Sequence, residues 1–332
     1  MNLGIFSEDK FSVSELTLAI NEAPALASRI KTLGLFESEG ILTTSFTIEK
    51  DVDTLALIPN QSRAAAPVGT GGSARSVRSF ATTHLPTQDT ITADKIQNLR
   101  AFGQASELET MVAFVQKRLA KMRRRIDATI EYQRVGAIKG LILDSNGTTV
   151  ISNLFTEFGI AQQTSALSLN SATSDLRGEI FAATDKSLNA LGSEPYSGFH
   201  CLCGSEFFRK LIAHPGATKA YELFEAGSKL RDDVRNGFAF GGVMFEEYRG
   251  GVGGVPFIAT NEAYLMPTGV DGMFITRNAP ANWMETANTI GLEIYAKQWL
   301  QQDGRGVTVE AQANPLSICS RPNAVIKLKI AV

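Results

Sequence analysis

The chain is poor in the residues that most chemistry needs. Its 332 residues include three histidines, three cysteines and two tryptophans. Three cysteines cannot build a disulfide framework, which points to a reducing compartment or to indifference to redox state. Cys201 and Cys203 are spaced C-x-C and no second cysteine pair follows, so a zinc-ribbon pattern is missing. On a strand those two thiols share one face and His200 takes the other, which reads as buried structural cysteines. No apolar run approaches the ~18 residues that span a bilayer. The start, Met1-Asn2-Leu3-Gly4, has no basic segment followed by an apolar one. A soluble protein without a cleaved signal is expected. An excess of one charge is also missing: 32 Lys+Arg against 34 Asp+Glu give a formal net charge of −2, which argues against a dedicated nucleic-acid binder.

Patterns that could suggest catalysis dissolve on inspection. Gly69-Thr70-Gly71-Gly72-Ser73 has no G-x-x-x-x-G-K-[ST], no strand before it and no helix after it, so it reads as a loop tip and not a phosphate cradle. Asp232-Asp233 and Glu246-Glu247 are adjacent pairs, and neighbours on a strand point to opposite faces. Gly250, Gly251, Gly253 and Gly254 read as a mobile loop. No catalytic, cofactor or metal motif emerges, and the expectation is a protein that is not an enzyme and needs no cofactor.

What the chain does have is one long amphipathic helix at residues 106–140. Leu108, Val112, Val115, Leu119, Met122, Ile126 and Thr129 recur at four and three residues, widened by Met111 and Ile130. Ser106 with Glu109 forms a capping-box start. At ~1.5 Å per residue such a spine runs about 45–50 Å. Its polar face is basic: Lys117, Lys121 and Arg124 lie opposite the stripe, Arg118 and Arg125 on one flank, Arg123 on the other. Two readings follow. Either this is a solvated face with Arg123, Asp127 and Glu131 paired at i,i+4, or it is turned toward a polyanion or an acidic partner subunit.

Around the spine the chain divides into five parts. Residues 1–40 form an arm with two helical fragments, the first led by Ser12 and stopped by Pro24, the second stopped by Gly34. Residues 41–100 alternate with period two, break at a small-residue tip and return to extended character. They predict a long two-stranded ribbon that needs another surface for stability. Arg63, Arg75 and Arg78 around its tip suit contacts with a neighbour. Residues 101–177 hold the spine and a strand–turn–strand unit around Asn146-Gly147. Residues 178–285 are a mixed α/β lobe: helices over Leu176–Leu191, from a Ser205 cap to His214 with Pro215-Gly216 ending it, and over 217–230, with strands at 199–203, 238–248, 255–259 and 273–276. Residues 286–332 are strongly β. Ile290, Leu292, Ile294 and Ala296 alternate with polar residues, as do Val307, Val309, Ala311 and Ala313, and Ile326, Leu328 and Ile330. These strands are expected to form an antiparallel sheet on the apolar stripe of the spine.

This order of arm, ribbon, spine, inserted lobe and closing strands resembles the major capsid proteins of tailed bacteriophages, and the local sequence resembles their lambda-type capsid protein E family. The stretches that carry it are Gly34-Leu35-Phe36 leading into 43–49, residues 91–103, Asp127-Ala128-Thr129-Ile130-Glu131, residues 135–140, residues 142–147 and, near the end, 305–315 and 321–330. The resemblance implies an α+β, HK97-like fold. It implies a shell subunit that assembles into hexamers and pentamers of an icosahedral virion enclosing double-stranded DNA. The ribbon would lie over a neighbouring subunit, the spine in a peripheral domain, the lobe as an axial domain at the capsomer centre. Scaffold, portal and decoration proteins are the implied partners, no membrane is involved, and assembly takes place in the bacterial host cytoplasm. The alternative is an encapsulin-like cellular compartment of the same fold; a soluble enzyme using the inserted lobe has no motif in its favour.

Overall fold

The computed structural model describes residues 9–26, 28–51, 75–92, 107–225 and 237–331; side chains at 49–51, 75–76, 107–111 and 221–225 are outside the description. The first layer follows from alternation. Strands β15 (Tyr295–Leu300), β16 (Gly306–Ala313) and β4 (Leu85–Thr92) form an antiparallel sheet in the order β15-β16-β4. Val307, Val309, Ala311 and Ala313 present one buried face, joined by Ile91 and Ala296. Helix α3 (Glu107–Lys139), the spine, lays Val115, Leu119, Met122 and Ile126 on that face. The spine thus spans 33 residues, as its periodicity predicted; Ser106, its expected cap, lies outside the described residues.

Helix α1 (Val13–Glu22) begins where the Ser12 hydroxyl accepts from the Glu15 N–H. Leu16 and Ile20 enter the same core. The helix lies along the outer edge of β15. Thr17 Oγ1 accepts from the Ala296 N–H at 3.1 Å and donates to its carbonyl at 3.3 Å, while Asn21 donates to the Ile294 carbonyl at 2.9 Å. These bonds occupy backbone groups that an open sheet edge would offer to another chain. The short α2 (Arg29–Thr32) follows, and Gly34 stops it at φ +63°.

The C-terminal half of α3 serves a second core. Val135, Ala137 and Ile138 pack with Ile142, Leu154, Leu202, Tyr264, Met266 and Ile318. Here lies the small sheet of β1 (Glu37–Gly40), β14 (Phe274–Asn278) and β17 (Pro315–Cys319). Beside it is the hairpin β5 (Leu141–Leu143) and β6 (Val150–Asn153), which turns as expected at Asn146-Gly147. Helix α4 (Leu154–Phe158) follows that hairpin. The ribbon is β2 (Ser45–Asp51) paired antiparallel with β3 (Arg75–Ala81). The far part of that ribbon, with its tip at Gly69–Ser73, falls outside the described residues.

The largest sheet has six strands in the order β7-β18-β13-β8-β10-β9: β7 (Thr164–Leu167), β18 (Ile326–Ile330), β13 (Glu262–Thr268), β8 (Gly198–Cys203), β10 (Val243–Glu247) and β9 (Phe238–Phe240). One face carries Cys201, Cys203, Phe245, Leu265 and Leu328 against helices α5 (Leu176–Leu191), α6 (Ser205–Ala213) and α7 (Pro215–Glu225). The other face, with Leu202, Tyr264 and Met266, meets the second core.

Several expectations are corrected here. The last strand, 326–330, lies inside this six-stranded sheet, between β7 and β13, and not on the spine. Strands β7, β13 and β17 had no counterpart in the sequence reading. The residues around Ile290 and Leu292 are irregular and exposed, and only Ile294 and Ala296 of that run are buried. Helix α6 has Gly204, not Ser205, at its cap position, and Pro215 opens the next helix, where its missing N–H costs nothing.

Candidate assembly surfaces

The basic face of the spine divides in two. Lys117, Lys121, Arg124 and Arg125 are exposed. Arg118 is not free: it pairs with Asp89 at 2.9 Å and lies 5.0 Å above the Phe114 ring. Arg123 departs further from the solvated reading. It is 4 % exposed, donates to the Ile20 carbonyl at 2.5 Å and stands 3.6 Å from Asp127. It ties the spine to α1 because its wheel position faces that helix.

On the ribbon, Arg78 is turned inward to its own subunit, donating to the Glu157 carbonyl and lying 5.0 Å over the Phe158 ring. Arg63 and the Arg75 side chain lie outside the described residues. The glycine run is no loose loop: Gly251–Val252 (β11) and Val255–Pro256 (β12) form a hairpin around Gly253 and Gly254, at φ +61° and +82°. Two positive φ values in a two-residue connection suit glycine alone among common residues at no cost. Val252 and Val255 pair across that hairpin and are 60 % and 68 % exposed.

A buried polar junction, absent from the sequence reading, joins arm, spine and large sheet. Arg29 on α2 grips Glu246 of β10 with two bonds, at 2.5 and 2.9 Å. His200 Nε2 of β8 stands 3.2 Å from the same carboxylate. Burial pushes the Glu246 carboxyl up, but His200 and Arg29 together outweigh it and hold the group below its ordinary value. On the spine, Glu131 accepts from the Ile30 N–H at 3.0 Å and from the Tyr248 hydroxyl at 3.1 Å. Burial and the Glu131 charge push the Tyr248 hydroxyl far up, so it stays a donor. Asp127 accepts from the Leu26 N–H at 3.0 Å. Adjacent Glu246 and Glu247 do diverge, as read: Glu247 pairs with Arg249 instead. Asp232 and Asp233 are outside the described residues.

A cleft of about 580 Å³ opens beside this junction, lined by Arg29, Glu131, Glu246, Tyr248, Arg249 and Phe257 among others. Another of about 650 Å³ lies at the start of α5, between Arg177, Lys219, Phe238 and Met244. Beside the second, Ser174 Oγ stands 3.1 Å from His214 Nε2, but that nitrogen also faces the Ser171 carbonyl at 2.8 Å while Nδ1 accepts from the Gly216 N–H, so Nε2 carries the proton and is a donor there. Cys201 and Cys203, with sulfurs 3.8 Å apart, are free and buried on the helix-covered face. Among the described residues no cluster of three or more His, Cys, Asp or Glu is placed to hold a metal, and no helix is long and apolar enough to cross a membrane.

The profile of a family described as phage major capsid protein E matches residues 12–330. The chain belongs to that family. A major capsid protein of Pseudomonas phage KPP10 is 28 % identical over 349 aligned positions, covering 98 % of each chain. One of Salmonella phage Felix O1 is 26 % identical, covering 97 % of each. Among solved structures, a putative capsid protein of an E. coli CFT073 prophage superposes at TM-score 0.58 with 16 % identity, over 94 % of this chain and 95 % of that one. The capsid of Myoviridae phage XM1 superposes at 0.52 with 12 % identity, over 93 % and 94 %. The capsid protein's fold is therefore α+β and HK97-like.

Proposed function

We propose that this protein is the head subunit of a tailed phage, closing with copies of itself as hexamers and pentamers into an icosahedral shell around packaged double-stranded DNA. The observation that carries the reading is the family match along nearly the whole chain, 12–330, borne by a capsid-type fold. In it, the arm and ribbon dock on neighbouring subunits, with Arg63 and Arg75 reaching across. The lobe around 178–285, with its glycine hairpin, turns to the capsomer centre. The spine lies at the periphery. A scaffold guides assembly in the host cytoplasm, and portal and decoration proteins join the shell. The curated relatives are phage proteins, which favours this over a cellular compartment of the same fold.

The test is expression of the full chain followed by size-exclusion chromatography and negative-stain electron microscopy, alone and with the neighbouring scaffold gene. Shells, capsomer rings or tubes are expected. A subunit that stays monomeric in both settings overturns the proposal.

A further inference from the structure

Two neighbouring helices carry opposite charge on their outward faces, and neither face is paired among the described residues. Helices α1 and α3 share the core over β15-β16-β4 and are stitched together by Arg123. Opposite its buried side, α1 exposes Glu15, Leu18 and Glu22. Opposite its own, α3 exposes Lys117, Lys121 and Arg124. Leu18 is 53 % exposed. Among the described residues none of these five charged groups has an ion-pair partner, although acid and base sit on adjoining helices. Each row runs seven residues from first to last, about 10 Å at ~1.5 Å per residue. The rows therefore match in length. Cations three and four residues apart on one helix repel each other, so the isolated subunit gains nothing from the basic row.

We propose that a second copy of this chain docks on this surface through a two-fold contact, in which the acidic row of each α1 lies on the basic row of the other copy's α3. A two-fold contact requires a surface that is its own complement. An acidic row beside a basic row of equal length meets that requirement, because rotation sets acid on base twice. Leu18, between the two carboxylates, supplies apolar contact at the centre of each half. Nucleic acid fits less well: Glu15 and Glu22, exposed on the adjoining helix, repel phosphate, and the chain's net charge is −2. The contact rests on the shell-subunit reading above and names the surface through which copies meet.

Sedimentation velocity in low and high salt compares wild type, E15K/E22K, K117E/K121E/R124E and the swap carrying all five substitutions, each checked for folding by circular dichroism. Like charges facing across a contact weaken it strongly, so each single-row variant should lose at least about tenfold of its assembled fraction. The swap, which restores opposite charge on both halves, should regain it. The neutral pair E15Q/E22Q should show a smaller loss in the same direction. Single-row variants that assemble like wild type would remove this contact and leave the shell reading standing. A gain with E15K/E22K, or a swap that stays dissociated, would also overturn it. Wild type that never self-associates, even with its scaffold, would sink the shell reading and the contact together.

Discussion

Glu246 shows how much one side chain can join. It is buried, and its partners Arg29 and His200 come from the arm and from the adjacent strand. Removing Arg29 leaves a buried carboxylate short of its hydrogen bonds, a change that costs about 1–3 kcal/mol for typical groups. Arg29 itself is 41 % exposed, so water replaces part of the loss. Arg29→Ala should lower the urea midpoint accordingly and make the 9–32 segment more susceptible to protease. An unchanged midpoint would mean that the arm is held elsewhere. This pair was not legible in the sequence, because its members are 217 positions apart and nothing local marks either. Arg123 misled for a related reason: its i,i+4 acid suggested a solvated pair, and the helix that buries it is about a hundred residues away in the chain. The cysteines were legible because alternation on a strand assigns faces without knowing the partner.

At the scale of elements, the end of the spine is the tightest point. Gly140 sits at φ +78°, and a Cβ there would lie 2.3 and 2.4 Å from the Phe155 ring. Gly147 has φ +72° but open space around it. Gly140→Ala should therefore cost more than Gly147→Ala, about 1–3 kcal/mol in unfolding free energy from strain and crowding together. Equal losses would show that the ring simply moves aside. The long helix, α1 with its serine cap, Leu176–Leu191 and the Asn-Gly hairpin were readable from period and punctuation. Strand β13 was not, because five of its seven residues are buried in an unbroken run, so neither period appears. Strand β7, Thr-Ser-Ala-Leu, is too polar and short to announce itself, and it is paired only because β18 lies alongside.

For the whole molecule, acid is the informative variable. Glu246, facing Arg29 and His200, and Glu262, facing Lys327, Tyr264 and Lys139, each have a carboxyl that burial raises but its partners hold below the ordinary 4.5. A folded value below the unfolded one contributes stability that is complete above 4.5 and lost as pH falls through the folded value. The urea midpoint should be flat from the carboxylate range to neutrality and fall below it, with E246Q flattening part of the fall; a midpoint that does not change with acid would contradict the assignment. The order of elements told the fold class correctly, since arm, ribbon, spine and closing strands follow one another, although the ribbon's return strand stops at Ala81 and Leu85–Thr92 joins the sheet under the spine instead. It failed for the final strand, because alternation says that a strand has two faces, not which sheet it enters. That destination has a consequence for synthesis. The largest sheet receives an inner strand, β18, only after every other strand in it has been made, and β18 alone connects β7 to the rest. A chain broken off before Ile326 has a gap in its sheet and an apolar helix layer half covered. Translation must run past that strand before a subunit is fit to join others, so the fold itself proofreads against incomplete products.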